Sequence, residues 1–259
     1  MASQRKSQRQ PAGRRKVQPV RQKQTLSWRL IAGAAAVVVL AVAGLIVFAL
    51  STSNGSESSN ALATQIDQSA ADLPEQDGFA LGSAEAALVL DVYEDFQCPF
   101  CVKFTATVEP GLITDYVRSG KVRLVFHNFA ILGAESVAAA KGSVCAADQD
   151  RAWNFGLALY SLQANADQVG VEKLNVGRFN DGALRKAADR AGLDAGKFQS
   201  CINDAATTAT VSQQYADGST LGVRGTPSFA LNGTYLANVP SDLAGWKLLL
   251  DQALATTAK

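Results

Sequence analysis

The clearest change of apolar period along the chain falls within residues 88–117. Leu88-Val89-Leu90-Asp91-Val92-Tyr93 is a short apolar run broken only by Asp91, and it predicts a central strand. Phe96-Gln97-Cys98-Pro99-Phe100-Cys101 comes next. From the first cysteine onward Val102, Phe104, Val108, Leu112 and Val117 recur at helical spacing. Pro110 should kink or split that helix and Gly120 should stop it. Val122, Leu124 and Phe126 then alternate with Lys121, Arg123 and Val125, which predicts a second strand. Strand, helix, strand is a βαβ unit with a parallel pair.

Downstream the pattern becomes Ala-rich and helical from about Ala134 to Gly222. Helices are predicted over Ala134–Gln149, Ala152–Gln163, Asn180–Ala191, Ala195–Asn203 and Ala205–Leu221, with Gly192 and Gly222 as stops. Strand signals return at Ser228–Leu231, and Asn232-Gly233 marks a hairpin turn into Thr234–Leu236. Asp242–Ala255 is the last predicted helix, with Ser241 as its cap. Upstream, Phe79-Ala80-Leu81 reads as a short edge strand, and the folded part is expected to begin near Asp77.

Charge changes the picture at the N-terminus. The net charge of +1 hides a split: residues 1–29 carry +9 and no acid, so the remainder carries −8. A basic tail can contact nucleic acid, but the uncharged apolar run Leu30–Leu50 behind it is long enough to cross a bilayer as a helix. Residues 1–29 are therefore expected as a cytoplasmic tail, 30–50 as a transmembrane signal-anchor and 51–76 as a flexible Ser/Asn/Ala-rich linker. The folded domain would then occupy 77–259 outside the cytoplasm, and no nucleic-acid partner is expected. A cleaved signal peptide is the rival reading, although its apolar region is usually only about 7–15 residues long. Ala61-Leu62-Ala63 resembles a cleavage site but lies well past the apolar run.

The four cysteines carry the candidate chemistry. Cys98 would sit at the positive end of a helix, where unpaired N–H groups and the dipole favour a thiolate, and Cys101 one turn further in. Pro99 suits the first turn because its missing N–H has no helical partner there. A C-x-x-C can also be half of a zinc site. Zinc needs four ligands, however, and only Cys145, Cys201 and the single histidine, His127, remain. His127 reads as a structural residue at a strand end rather than a catalytic base. Cys145 and Cys201 are either buried free thiols or a structural disulfide. An exported location and an even count favour the bond.

Phe96–Cys101 after a strand, and Gly222-Val223-Arg224-Gly225-Thr226-Pro227-Ser228-Phe229 before a hairpin, together resemble the thioredoxin superfamily. The helical stretch of about 134–222 between the two halves makes the chain similar to the DsbA family of thiol–disulfide oxidoreductases, in its membrane-anchored form. The resemblance covers about Asp77 to the C-terminus. It implies a thioredoxin-like α/β fold with an inserted helical domain and a redox-active Cys98–Cys101 pair. It also implies a cis Pro227 after Thr226, lying against that pair, and a Cys145–Cys201 disulfide. No metal, nucleotide or flavin cofactor is implied. Substrates would be reduced or unfolded exported proteins. Reoxidation would fall to a membrane quinone reductase of the DsbB or vitamin K epoxide reductase-like type. A reductase, an isomerase or a non-redox client-binding module are the alternatives.

Two residues depart from the family pattern. Many relatives have an acid six positions before the first cysteine, where this chain has Val92; Glu94, on the same strand face, or Asp91 is expected to replace it. Phe100 stands where the best-studied oxidases have histidine, and it offers the thiolate neither charge nor a hydrogen bond. Glu94, Pro99 and Phe100 are thus the expected modulators of the pair.

Overall fold

The structure is a computed structural model of the 259-residue chain, and it describes residues 60–165 and 173–257. The expected tail and transmembrane helix lie outside those residues. Among the described residues no helix is long and apolar enough to cross a membrane.

A six-stranded mixed sheet is the frame, with spatial order β1-β2-β4-β3-β5-β6. Its strands are β1 (Gln76–Asp77), β2 (Ala80–Leu81), β3 (Leu88–Glu94), β4 (Val122–Asn128), β5 (Ser228–Leu231) and β6 (Thr234–Tyr235). β3 and β4 pair in parallel from Leu88↔Val122 to Glu94↔Asn128, and β5 lies antiparallel on the other side of β3. The predicted central strand is therefore central. Ala80–Leu81, by contrast, is not an edge: β1 pairs outside it, and β2 itself lies against β4. Asn232 and Gly233 both take positive φ, as a two-residue hairpin turn requires.

Alternation along the strands sorts the two faces of the sheet. Leu90, Val92, Leu124, Phe126 and Phe229 are buried in the main core, with Trp246 and Leu250 of α9 (Leu243–Thr257) packed against them. Tyr93 and Ala230 face the other way, into a smaller cluster with Phe129 and Val223. The helix after β3 is divided as Pro110 predicts: α2 (Pro99–Thr107) ends, α3 (Glu109–Leu112) restarts with Pro110 in its first turn, and a π-helical turn carries the chain to Val117. Gly120, at φ +70°, closes that segment.

The helical insertion consists of α4 (Ala134–Ala147), α5 (Ala152–Asn165), α6 (Asp181–Arg190), α7 (Ala195–Ile202) and α8 (Ala205–Leu221). Asn180, Asp194 and Asp204 cap the last three through side-chain oxygens that accept backbone N–H groups. A disulfide joins Cys145 of α4 to Cys201 of α7.

Two expectations need correction. Part of the presumed linker is helical: residues 60–70 form α1, which buries Ala63 and Ile66 in the main core. The Asp67 carboxylate of α1 pairs with Arg190 of α6, and Asp72 just beyond it pairs with Arg118 at 2.9 Å. Burial of an apolar stripe overrides a sequence that reads as polar and loop-like. The second correction concerns α9, where Asp242 and not Ser241 is the cap, its Oδ1 accepting the Gly245 N–H at 2.9 Å.

Candidate active site

Cys98 is the N-cap of α2, with extended backbone and Pro99 as the first helical residue. This geometry aims the free N–H groups of the first helical turn at the Cys98 sulfur. The Cys98 thiol donates to the Thr226 carbonyl at 3.2 Å, and the Thr226–Pro227 peptide is cis. The structure thus brings Cys98, Cys101, Thr226 and Pro227 together from two segments well separated in sequence. Cys101 is 0% exposed and Cys98 4%, so Cys101 is the more enclosed of the two, as expected. Phe100 is 68% exposed. It lines a groove of about 310 Å³ together with Phe104, Thr226, Pro227, Val239 and Trp246.

The two thiols are driven apart electrostatically. Cys98 is brought down to about 7, first by a hydrogen bond from the Cys101 thiol; burial opposes this, while the Thr226 hydroxyl and the N–H groups of Cys101 and Phe100 add to it. The Cys101 thiol is pushed well above its ordinary range by burial, by its hydrogen bond to Cys98 and by the charges of Glu94 and Cys98. Near neutral pH the pair therefore holds a nucleophile beside a protonated partner.

Of the two acids considered as replacements for Val92, Glu94 faces the cysteines. It is 2% exposed, and its Oε2 accepts the Tyr160 hydroxyl at 3.0 Å. Burial pushes Glu94 well above the usual carboxylate range; the charge of Glu109 adds to the rise and the Tyr160 hydrogen bond opposes it. Asp91 points to the other sheet face, where its carboxylate meets His127 Nε2 at 2.8 Å. The His127 ring stacks on Tyr93, with centroids 4.6 Å apart. His127 is thus tied to Asp91 rather than to the cysteines. Among the described residues no group of three or more His, Cys, Asp or Glu side chains could hold a metal ion.

Sequence reasoning missed the support beneath the loop. Asp95 is buried, and its Oδ1 accepts the Gln97 N–H at 2.8 Å and the Ser136 hydroxyl at 2.6 Å. Its Oδ2 accepts the N–H groups of Ile131 and Leu132 at 2.8 and 2.9 Å. The Asp95 carbonyl accepts the Cys98 N–H at 2.9 Å, which fixes the approach to the helix. The one local signal was an Asp two residues before Gln97, the spacing of an Asx-turn. Asp95→Ala leaves two buried donors (the Gln97 N–H and the Ser136 hydroxyl) and two partly buried ones (the Ile131 and Leu132 N–H groups) without their acceptor and is expected to destabilise the fold by about 3 kcal/mol. Urea unfolding of the reduced protein measures this, and a midpoint equal to wild type would contradict it.

Comparison with known proteins agrees with this geometry. The family model described as Thioredoxin matches residues 75–252. A probable disulfide bond formation protein D of Bacillus anthracis is 27% identical over 220 residues, covering 84% of this chain and 92% of that one. The crystal structure of oxidised BdbD from Bacillus subtilis matches with TM-score 0.59 at 20% identity, over 71% of this chain and 97% of that one. The α-DsbA1 of Wolbachia pipientis matches with TM-score 0.58 at 20% identity, over 72% and 95% of the two chains. The chain belongs to the thioredoxin family, as a thiol–disulfide oxidoreductase of the DsbA type.

Proposed function

We propose that the protein is an oxidase that introduces disulfides into exported proteins through the Cys98–Cys101 pair. A client thiolate attacks Cys98 Sγ in the oxidised pair; the Cys98–Cys101 bond breaks and Cys101 leaves with the electron pair. The second client thiol then attacks the client sulfur of the mixed disulfide and releases Cys98 as a thiolate. The extended client pairs with the Thr226 backbone beside Pro227, and its apolar side chains lie in the groove that Phe100 borders. A membrane quinone reductase of the DsbB or vitamin K epoxide reductase-like type returns the pair to the disulfide. Residues 30–50 anchor the chain with residues 1–29 in the cytoplasm, so the catalytic domain works outside it.

The observation that carries this reading is the placing of Cys98 at a helix N-terminus, with its thiol near 7 beside a Cys101 thiol that is pushed up. A good leaving thiolate favours transfer of the disulfide to clients. The lowering from the free value of about 8.5 to about 7 favours the reduced pair by about 2 kcal/mol, or roughly 45 mV of reduction potential. Because the Cys98 value is depressed, that advantage is complete above about pH 8.5 and disappears as pH falls through about 7. Alkylation of reduced Cys98 should accordingly be half-maximal near pH 7, as mass spectrometry against pH will read; a midpoint at the ordinary thiol value contradicts it.

The activity itself is tested by oxidative refolding of a reduced exported protein that needs its disulfides. The oxidised enzyme should accelerate recovery well beyond a glutathione buffer alone. Faster loss of client disulfides, with no gain in their formation, would assign a reductase instead.

A further inference from the structure

Beneath the cysteine pair is a set of buried polar atoms that the exchange steps leave unused. Glu109, the first residue of α3, is 2% exposed. It shares with Glu94, Thr105 and Tyr160 the lining of a cavity of about 10 Å³, otherwise walled by apolar residues of α5 and by Phe126. That is about the room one water needs. Glu94 Oε1, Thr105 Oγ1 and Glu109 Oε1 are all buried there without a hydrogen-bond partner among the described residues. Three orphaned oxygens match the roughly three hydrogen bonds that a buried water makes. Buried oxygens left unpaired are costly, which favours a water on them.

We propose that Glu94 and Glu109, bridged by one water held on Glu94 Oε1, Thr105 Oγ1 and Glu109 Oε1, form the proton store of the Cys98–Cys101 pair, with Glu109 acting as a positioning residue through Glu94. The proposal rests on Cys98–Cys101 being the redox pair. When a client sulfur bonds to Cys98 Sγ, Cys101 Sγ leaves with the electron pair and the Glu94 carboxyl gives it a proton. The water then passes the Glu109 proton to Glu94, so the negative charge rests on Glu109 until a proton from solvent replaces the one given up. Reoxidation returns each proton by the same route, and the two electrons stay on sulfur throughout.

The electrostatics favour this order. Two carboxyls buried together do not both ionise readily. Burial pushes Glu109 up to about 8, whereas Glu94 is raised by burial, by Glu109 and also by the charge of Cys98. A charge moved to Glu109 therefore escapes the repulsion that the Cys98 thiolate exerts on Glu94. The other titratable groups facing the pair are Cys101 on α2 and Tyr160 on α5. Both are pushed up by burial and by the Glu94 charge and so stay protonated near neutral pH. The groups titrate together, and the apparent values belong to the set.

The Cys98 thiolate exists only in the reduced state, so reduction raises the affinity of the carboxyl pair for protons. Reduction then takes up more protons near pH 8 than the cysteines alone require. With Cys98 ionised, the cysteines take up one proton per pair of electrons, which changes the equilibrium constant tenfold per pH unit.

The test equilibrates the full chain with glutathione buffers of known potential across pH, for wild type and Glu109→Gln. Wild type should exceed the tenfold dependence near pH 8, and Glu109→Gln should fall back to it, with its client-oxidation profile shifted toward acid. An unchanged dependence in Glu109→Gln overturns the proposal. If that variant does not fold, a wild-type dependence no steeper than tenfold, or a dry cavity in a high-resolution crystal structure, also overturns it. A wild-type pair that exchanges no disulfide would defeat the underlying reading as well, whereas normal exchange with unaltered pH dependence defeats this proposal alone.

Discussion

Cys98→Ser is expected to reduce client oxidation to the uncatalysed rate. A serine hydroxyl forms no disulfide and does not ionise near pH 7, so both the electrophile of the oxidised enzyme and the leaving thiolate of the reduced one are lost. The fold should survive, because sulfur and oxygen differ little in size and the Thr226 carbonyl that accepts from Cys98 can accept from a hydroxyl equally well. Cys101→Ser should behave differently. Cys98 stays reactive and attacks client disulfides, but the resolving thiol is gone, so a covalent client adduct accumulates. Non-reducing electrophoresis after incubation with a scrambled client separates the two variants. Full activity in Cys98→Ser would contradict thiol chemistry at this site and would favour simple client binding.

The second large effect is on stability. Replacing Cys145 and Cys201 together with alanine is expected to cost about 4 kcal/mol, from the chain entropy of the unfolded loop they close. The two positions are 56 apart in sequence and tie α4 to α7. A loss of this size should lower Tm by roughly 8–16 °C in a domain of this size. Calorimetry on the variant reads it directly, and an unchanged Tm would contradict it. Resistance to reduction does not follow from simple exposure. Cys201 is partly exposed while Cys98 is nearly buried. The Cys98–Cys101 bond should still be the first to yield to mild dithiothreitol, because Cys98 is the better leaving thiolate. Peptide mapping after partial reduction should find Cys98 and Cys101 labelled first.

Local chemistry made much of this legible from sequence. Pro99 next to Cys98 fixes the start of α2, Pro110 forces the break before α3, and Gly222 at φ +108° ends α8. Those signals act within a turn or two, so the cysteine pair, the boundaries of the helical insertion and the hairpin after Pro227 could all be read. What was not legible depends on contacts distant in sequence. The α1 stripe has one large fully buried side chain, Ile66, amid Ser, Gln, Thr and Ala, and nothing local separates it from a linker. Glu109 looks like an ordinary acid in a first helical turn, and only the packing of α5 over it makes it buried. Asp95 gains its weight from Ile131, Leu132 and Ser136, some forty positions downstream. Strand alternation already favoured Glu94, on the face of Val92, over Asp91. That this face is the one that meets the cysteines is a property of the assembled sheet.

The reduction potential of the Cys98–Cys101 pair, read by equilibration with glutathione at neutral pH, separates the oxidase from the reductase. A Cys98 thiolate stabilised at the start of α2 predicts a value clearly more oxidising than the thioredoxin value of about −270 mV. A value at or below that level would contradict the oxidase and leave a reductase on the same fold.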